Sequence, residues 1–154
     1  MTTSDVPLKT AFATLPPKAR LMGLDLGAKT IGVATSDMTR QIATPIEVIT
    51  RKKFTEDANR LIEIAARENI GLFVLGPPVN MDGSEGPRAQ STRAFARNLA
   101  RLTPIPIVFW DERLSTAAVE RMLIQADASR AKRDQVVDKL AAAWLLQSAL
   151  DSLR

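Results

Sequence analysis

Five short segments of this sequence have the length and composition of β-strands, and their order along the chain restricts the fold more than any other feature. Residues 21–26 and 30–36 are separated by a short connection that contains Gly27, which predicts a β-hairpin. Residues 46–50 predict a third strand. Residues 72–75, closed by Gly76 and Pro77, have the length and flanks of a buried parallel strand, and residues 105–110 predict a fifth strand.

Four segments between and after these strands have helical patterns. Apolar residues at helical spacing predict a helix over residues 55–68, and further helices are predicted over residues 89–102 and 135–150. Ser115 or Thr116 would cap another helix that reaches residue 126. The order of elements is therefore β-β-β-α-β-α-β-α-α, which predicts an α/β fold: a mixed five-stranded sheet with helices on both faces.

The length of 154 residues fits one domain around one buried core. Residues 1–19 contain Pro7, Pro16 and Pro17 and have no steady periodicity, so they predict a disordered or loosely attached extension, with residues 20–154 as the single domain. No apolar run has the length of a membrane span, and the N-terminus lacks the basic and apolar pattern of a secretory signal. We therefore expect a cytoplasmic protein with no membrane partner.

The composition excludes several kinds of chemistry. The chain has no cysteine and no histidine, which rules out disulfides, thiolate nucleophiles, histidine-based zinc sites and a Ser-His-Asp triad. Hydrolytic chemistry must then use carboxylates, lysine, hydroxyl groups or a bound metal, and 17 acidic residues make a carboxylate-bound divalent metal the natural choice. The net charge of +4 mildly favours a polyanionic partner.

Carboxylates stand at positions that are unusual for surface charges. Asp25 lies inside an apolar strand, and Asp111 and Glu112 directly follow the apolar run 105–110. Asp138 begins a row on the last predicted helix whose other members are apolar and lie at spacings of three or four residues. Converging carboxylates repel one another, and a divalent cation relieves that repulsion. Metal ions held by carboxylates can activate the attacking water and stabilise the leaving oxygen in phosphodiester hydrolysis, and no histidine is required.

Each of these acids also has a simpler interpretation. An isolated aspartate at the end of a strand is more often a turn former or a helix cap than a catalytic group. Asp138 could equally pair with Lys132, Arg133 or Lys139.

Four motifs in order resemble the YqgF/RuvX family of pre-16S rRNA nucleases, which is related to the Holliday-junction resolvases. They are GLDLGAKTIGVATSD at residues 23–37, LGPPVNMDGSEG at residues 75–86, DERLST at residues 111–116 and VVDKLAA at residues 136–142. The resemblance extends over about residues 21–150. It implies an RNase H-like nuclease domain and a metal-dependent endonuclease that acts in maturation of the 5′ end of 16S rRNA.

The resemblance also implies the site residues. Asp25, Glu112 and Asp138 are the acids carried over, with Asp111 as the alternative to Glu112, and they would hold one or two Mg²⁺ or Mn²⁺ ions. The related resolvases have a Glu near the end of the fourth strand, where this chain has Gly76 followed by two prolines. Basic residues near the site are expected to contact the nucleic acid, in a monomer or a homodimer: Lys29, Arg113, Arg130, Lys132 and Arg133.

Other functions stay open at this stage. A resolvase that cuts four-way DNA junctions, and a nucleic-acid-binding module without catalysis, are alternatives to the precursor rRNA nuclease. An Asp-x-Gly pattern followed by Gly-Val-Ala also suits the phosphate-binding hairpin of sugar kinases and actin-like ATPases. That architecture needs two such domains, and 154 residues supply one.

Overall fold

The computed structural model describes residues 7–76, 87–110 and 130–153 of the chain, without the side chains of residues 87–88 and 130–139. The helices are α1 (Leu8–Ala13), α2 (Phe54–Arg67), α3 (Pro87–Ala100) and α4 (Arg130–Ser152). The strands are β1 (Arg20–Leu26), β2 (Thr30–Ser36), β3 (Ala43–Thr50), β4 (Ile70–Leu75) and β5 (Ile107–Phe109). The helix predicted over residues 116–126 lies outside the described residues.

The five strands form one mixed sheet in the order β3-β2-β1-β4-β5. β1, β2 and β3 form an antiparallel meander, and β4 and β5 run parallel to β1. This confirms the predicted sheet. β3 begins three residues before the predicted start and includes Pro45. The missing N–H of this proline is tolerated because β3 is an edge strand and Pro45 lies beside a register shift.

Two apolar cores cover the two faces of the sheet. Met22 and Leu24 of β1 belong to the core beneath α2 and α3, which also contains Leu61 and Leu99. Leu21 belongs to the other core, which lies beneath α1 and α4. The helices therefore cover both faces, as predicted, and β1 alternates between the two cores because successive side chains of a strand point to opposite faces.

The N-terminal segment differs from the prediction. Residues 8–13 form α1, whose Leu8 and Ala11 are buried in the α1/α4 core. Arg40 fixes the segment that follows, because its Nε donates to the carbonyl of Ala19 at 2.8 Å and its guanidinium lies 5.3 Å from the ring centre of Phe12. The expectation of a disordered extension is therefore corrected for residues 7–19, since the prolines lie outside α1 and do not interrupt it.

α4 begins earlier than the sequence predicts. Its first residue is Arg130, so the basic residues Arg130, Lys132 and Arg133 lie inside the helix and not in a polar stretch before it. The predicted apolar row is confirmed for its described members, because Ala142, Leu145 and Ala149 are all buried. Within the described residues, no helix has the length and apolar character needed to cross a membrane.

Candidate active site

Asp25 lies near the carboxyl end of β1 and is half-buried. Its neighbour Leu24 is fully buried in the α2/α3 core, and Asp25 pairs with Gly32 across the hairpin. Because strand side chains alternate, Asp25 belongs to the same face as Leu21 and Gly23, which is the face that α4 covers. A carboxylate on an otherwise apolar face needs a compensating partner.

α4 approaches this face very closely at Gly23. A Cβ atom built at Gly23 would lie 2.8 Å from Cβ of Leu146 and 2.9 Å from the carbonyl oxygen of Ala142. Only a residue without a side chain fits at this distance. Asp138 lies in α4, one helical turn before Ala142, and its side chain is outside the described part of the structure.

The direction of α4 follows from contacts near its carboxyl end. Gln147 accepts a hydrogen bond from the amide of Ala43 at 2.9 Å and donates one to the carbonyl of Gln41 at 2.8 Å. Both partners lie at the β2–β3 turn, which is level with the beginning of β1. The carboxyl end of α4 is therefore near the start of β1, and α4 runs antiparallel to β1.

Among the parallel strands, β4 and β5 end level with each other, and β1 continues two residues beyond the register partner of the last β4 residue. Leu24 is the register partner of Leu75, and Leu75 is the partner of Phe109. The amide of Trp110 donates to the carbonyl of Leu75 at 2.9 Å, which extends this register by one residue. The predicted site residues Asp111, Glu112 and Arg113 come directly after Trp110 and lie outside the described residues.

Trp110 also connects the end of β5 to α4. Its indole Nε1 donates to the hydroxyl oxygen of Ser148 at 3.0 Å. The segment that precedes Asp111 is therefore held against the helix that contains Asp138.

The turn after Asp25 is fixed by Arg51. The amide of Gly27 donates to the carbonyl of Thr30 at 2.8 Å, and Arg51 Nη1 donates to the carbonyl of Gly27 at 2.6 Å. The amide of Arg51 also donates to the carbonyl of Lys29 at 2.8 Å, while the Lys29 side chain is exposed. Arg51 was not predicted as a site residue, although the basic run at residues 51–53 directly after β3 was a visible signal.

Two other acids near these elements have structural roles. Asp37 accepts hydrogen bonds from the Thr39 hydroxyl and from the amides of Gln41 and Ile42, and these bonds hold the pKa of its carboxyl far below the usual value. Asp57 is buried and accepts a hydrogen bond from the amide of Lys52 at 3.2 Å, just before α2. Neither acid therefore indicates a binding site for a metal or a substrate.

Among the described residues, no group of three potential ligands could hold a metal ion. Of the four predicted acids, Asp25 is the one whose side chain the structure describes. The structure thus places the side chain of one predicted ligand, Asp25, and the backbone of α4, which contains Asp138.

The sequence model of the RuvX family, described as Holliday junction resolvase, matches residues 19–152. The chain belongs to the RuvX family. The match includes every strand, α2, α3 and α4, and it begins just before β1. The resemblance noted in the sequence is thereby confirmed.

Two similar relatives share the same name. The protein named "Putative pre-16S rRNA nuclease" from Nitrobacter hamburgensis is 62% identical over 153 residues, which cover 99% of this chain and 94% of the relative. A protein of the same name from Rhodopseudomonas palustris strain BisA53 is 64% identical and covers 96% of this chain and 91% of its own length.

Solved structures support the fold assignment. RuvC from T. thermophilus, in complex with a Holliday junction substrate, superposes with a TM-score of 0.56 at 16% identity, covering 87% of this chain and 94% of that one. The fowlpox virus Holliday junction resolvase gives a TM-score of 0.51 at 13% identity, covering 87% of this chain and 99% of that one. At these identities the likeness concerns the fold, and it confirms the predicted RNase H-like architecture.

Proposed function

We propose that this RuvX-family nuclease is a metal-dependent endonuclease that hydrolyses phosphodiester bonds during maturation of the 5′ end of precursor 16S rRNA. The names of relatives at 62% and 64% identity support the substrate. An enzyme of rRNA maturation acts where ribosomes are assembled, so we also propose a cytoplasmic location. The observation that carries the proposed site is the close antiparallel packing of α4 on β1 at Gly23.

This packing supports a pairing of Asp25 with Asp138. Asp25 lies two residues after Gly23, which is about 6.6 Å along a strand. Asp138 lies four residues before Ala142, which is about 6 Å along a helix. Because α4 runs antiparallel to β1, the two steps lead in the same direction. The backbones of Asp25 and Asp138 are therefore expected to be level with each other.

The end of β5 supports a third carboxylate at the same edge. β5 is two strand spacings from β1, or about 9.6 Å. From Trp110, two extended residues span up to about 7 Å, and a glutamate side chain adds further reach. Glu112, with Asp111 as the alternative, is thus within range of a metal bound at Asp25.

The donor chemistry fits a hard divalent cation. Asp25, Glu112 and Asp138 offer carboxylate oxygens, which Mg²⁺ and Mn²⁺ prefer over other ligands. When bound, such an ion supplies an activated water and stabilises the charge of the leaving oxygen. The half-buried position of Asp25 strengthens its attraction for a cation relative to an exposed carboxylate. The basic residues that the sequence singles out are proposed to bind phosphate groups: Lys29, Arg113, Arg130, Lys132 and Arg133.

A resolvase of four-way DNA junctions is the second candidate. It is favoured by the description of the family model, Holliday junction resolvase. At the end of β4, where the related resolvases have a Glu, this chain has Gly76 followed by two prolines, which gives no support to this candidate.

The test is a cleavage assay with two substrates. Purified protein is incubated with a precursor 16S rRNA fragment or a synthetic four-way DNA junction, in Mg²⁺, in Mn²⁺ or with EDTA. We expect metal-dependent RNA cleavage that Asp25→Asn lowers by about 10³-fold or more. Glu63→Gln, which alters an exposed acid on α2, is the control and keeps full activity.

Three outcomes contradict the proposal in different ways. Full activity in Asp25→Asn excludes the proposed site. Cleavage of the junction without cleavage of the RNA replaces the first candidate by the second. Tight binding of RNA without cleavage in any metal indicates a non-catalytic binding module.

A further inference from the structure

A polar cleft of about 600 Å³ lies between the β1–β2 turn and α3. Leu26 and Phe95 form its apolar part, and the turn residue Gly27 lies at its edge. Its polar lining consists of Arg51, Lys52, Ser91 and Thr92. We call it the basic cleft. It lies on the α2/α3 side of the sheet, whereas Asp25 belongs to the α4 side.

The charge of the basic cleft is not neutralised within the described residues. Four basic residues line the cleft or adjoin its lining residues in the sequence: Lys29, Arg51, Lys52 and Lys53. None of them forms an ion pair in the described part of the chain. The neighbouring acid Asp57 is buried and accepts a hydrogen bond from the backbone amide of Lys52. An excess of positive charge therefore remains at the mouth of the cleft.

Arg51 is held in a position that suits an anion. One Nη1 hydrogen bond to the carbonyl of Gly27 anchors its guanidinium, which also lies 5.7 Å from the ring centre of Phe95. A guanidinium has five N–H donors, and within the described residues this bond uses one of them. Because the group is already ordered, little side-chain entropy is lost when it binds a ligand.

The basic cleft is close to Asp25 along the chain. Gly27 follows Asp25 by two residues, so their Cα atoms are at most about 7.6 Å apart. Consecutive phosphates of one strand in a double helix are about 3.4 Å apart along the axis. A nucleic-acid strand that places one phosphate at Asp25 can therefore place one of its next few phosphates in the cleft.

We propose that the basic cleft binds a backbone phosphate of the substrate strand, flanking the phosphate that is cleaved at Asp25. This proposal rests on the proposed nuclease function. Lys52 and Arg51 supply the positive charge, and the hydroxyl groups of Ser91 and Thr92 donate to phosphate oxygens, as such groups commonly do. Contacts of this kind set the register of the strand without reading its sequence, so RNA and DNA backbones both fit.

The test measures binding without cleavage. A fluorescent single-stranded RNA oligonucleotide from the precursor 5′ region is titrated in EDTA at several salt concentrations, and a DNA oligonucleotide of the same sequence is titrated in parallel. The main variant is Lys52→Ala, because the side chain is exposed and the backbone bond to Asp57 is kept. The matched control is Lys9→Ala, an exposed lysine of α1 on the opposite face.

We expect Lys52→Ala to lower the slope of log Kd against log salt concentration by about 0.7–1, which is the change expected for the loss of one phosphate contact. The ratio of its Kd to the wild-type Kd should shrink about threefold when salt rises from about 50 to about 200 mM. Lys52→Arg should restore the wild-type slope because it keeps the charge. Thr92→Val should weaken binding and leave the slope unchanged, because it removes a neutral donor.

The outcomes separate this proposal from the one on which it rests. If wild-type protein binds RNA and Lys52→Ala has the same slope as Lys9→Ala, the basic cleft does not bind phosphate and the nuclease proposal stands. If wild-type protein binds neither oligonucleotide, both proposals are wrong. Equal slope changes for RNA and DNA support backbone recognition, and a change for DNA alone contradicts a role with an RNA substrate.

Discussion

Gly23 of β1 and Leu146 of α4 are in contact so close that a Cβ atom at position 23 would lie 2.8 Å from the Cβ of Leu146. The backbone of α4 is equally near, since the carbonyl oxygen of Ala142 would be 2.9 Å from the same atom. Neither contact involves the flexible end of a side chain. This glycine therefore sets the distance between the strand that carries Asp25 and the helix that carries Asp138.

The variant Gly23→Ala is expected to lower both stability and activity. The added methyl group must push α4 away from the sheet, and overpacking of this kind costs about 1–3 kcal/mol. For a protein of this size, that corresponds to a fall in Tm of about 2–12 °C. Thermal unfolding and RNA cleavage below the Tm measure the two effects.

The control for this variant is Gly27→Ala. There the new Cβ would lie 3.0 Å from the carbonyl oxygen of Thr30 and 3.5 Å from its hydroxyl oxygen, so its contacts are less close than those at Gly23. We expect a loss of stability below about 1 kcal/mol. If Gly23→Ala is as stable and as active as the wild type, the close approach of α4 does not determine the site.

A second prediction concerns metal binding and uses stability as the readout. If Asp25, Glu112 and Asp138 converge, their mutual repulsion destabilises the metal-free protein, and Mg²⁺ stabilises it. At a concentration 100 times its Kd, a ligand raises the free energy of unfolding by about 2.7 kcal/mol. The Tm of the wild type should therefore rise when EDTA is replaced by saturating MgCl₂.

Asp25→Asn and Asp138→Asn should each remove most of this rise. The double variant should lose no more activity than either single variant, because groups that act as one unit are not additive. Glu63→Gln serves as the control and should show the wild-type rise. An equal rise in Asp138→Asn and wild type would place Asp138 outside the metal site.

Most of the sheet was predictable from local patterns. The hairpin of β1 and β2 has two short, largely apolar strands and a glycine-containing turn, and both strands agree with the prediction to within one residue. β4 was recognisable from Gly76 and Pro77 after it. The apolar row of α4 also predicted which side of that helix is buried, because helical spacing places its members on one face.

The elements that were missed depend on contacts between distant residues. α1 has six residues and would not be stable alone, so its order depends on burial of Leu8 and Ala11 and on Arg40 beside Phe12. The start of α4 was missed because its first turn lacks an apolar pattern, although the Arg, Ala and Lys residues of that turn are good helix formers.

The candidate site also contains one residue that a local pattern reveals and one that depends on a contact between distant residues. Asp25 was recognisable because a carboxylate interrupts an apolar strand. Arg51 was not, because its bond to the carbonyl of Gly27 joins residues that are 24 positions apart, and no periodic pattern reveals such a contact. Local sequence thus indicated the acid but not the cation that fixes the turn beside it.

A third prediction concerns the hydrogen bond between Trp110 and Ser148. Ser148→Ala leaves the half-buried indole N–H without its acceptor, which costs about 1 kcal/mol. The residues directly after Trp110 are Asp111 and Glu112, so we also expect a lower cleavage rate with little change in RNA affinity. Urea unfolding and cleavage kinetics test the two parts.

Ser152→Ala is the matched control for Ser148→Ala. The Ser152 hydroxyl donates within α4, to the carbonyl of Ala149 at 2.7 Å, and does not involve β5. This variant should retain the wild-type cleavage rate. If both variants cleave RNA equally well, the contact between Trp110 and α4 does not position the acids at the end of β5.

The last prediction concerns the pH dependence of stability at Asp37. Hydrogen bonds from Thr39, and then from the amides of Ile42 and Gln41, lower the pKa of this carboxyl in the folded protein below the value of 3.8 expected in an unfolded chain. A lowered folded pKa means that the stabilisation is fully present above the unfolded pKa and is lost as the pH falls through the folded pKa. Asp37→Asn removes this contribution.

We therefore expect Asp37→Asn to be less stable than the wild type near neutral pH, by about 0.5–1 kcal/mol, because its neutral amide oxygen accepts weaker hydrogen bonds than a carboxylate oxygen. The difference should shrink as the pH is lowered below about 4, where the wild-type carboxyl begins to protonate in the unfolded chain. Thr39→Ala should reproduce part of the effect. Urea unfolding from neutral to acidic pH tests this, and a difference between Asp37→Asn and wild type that is constant over the whole range would contradict it.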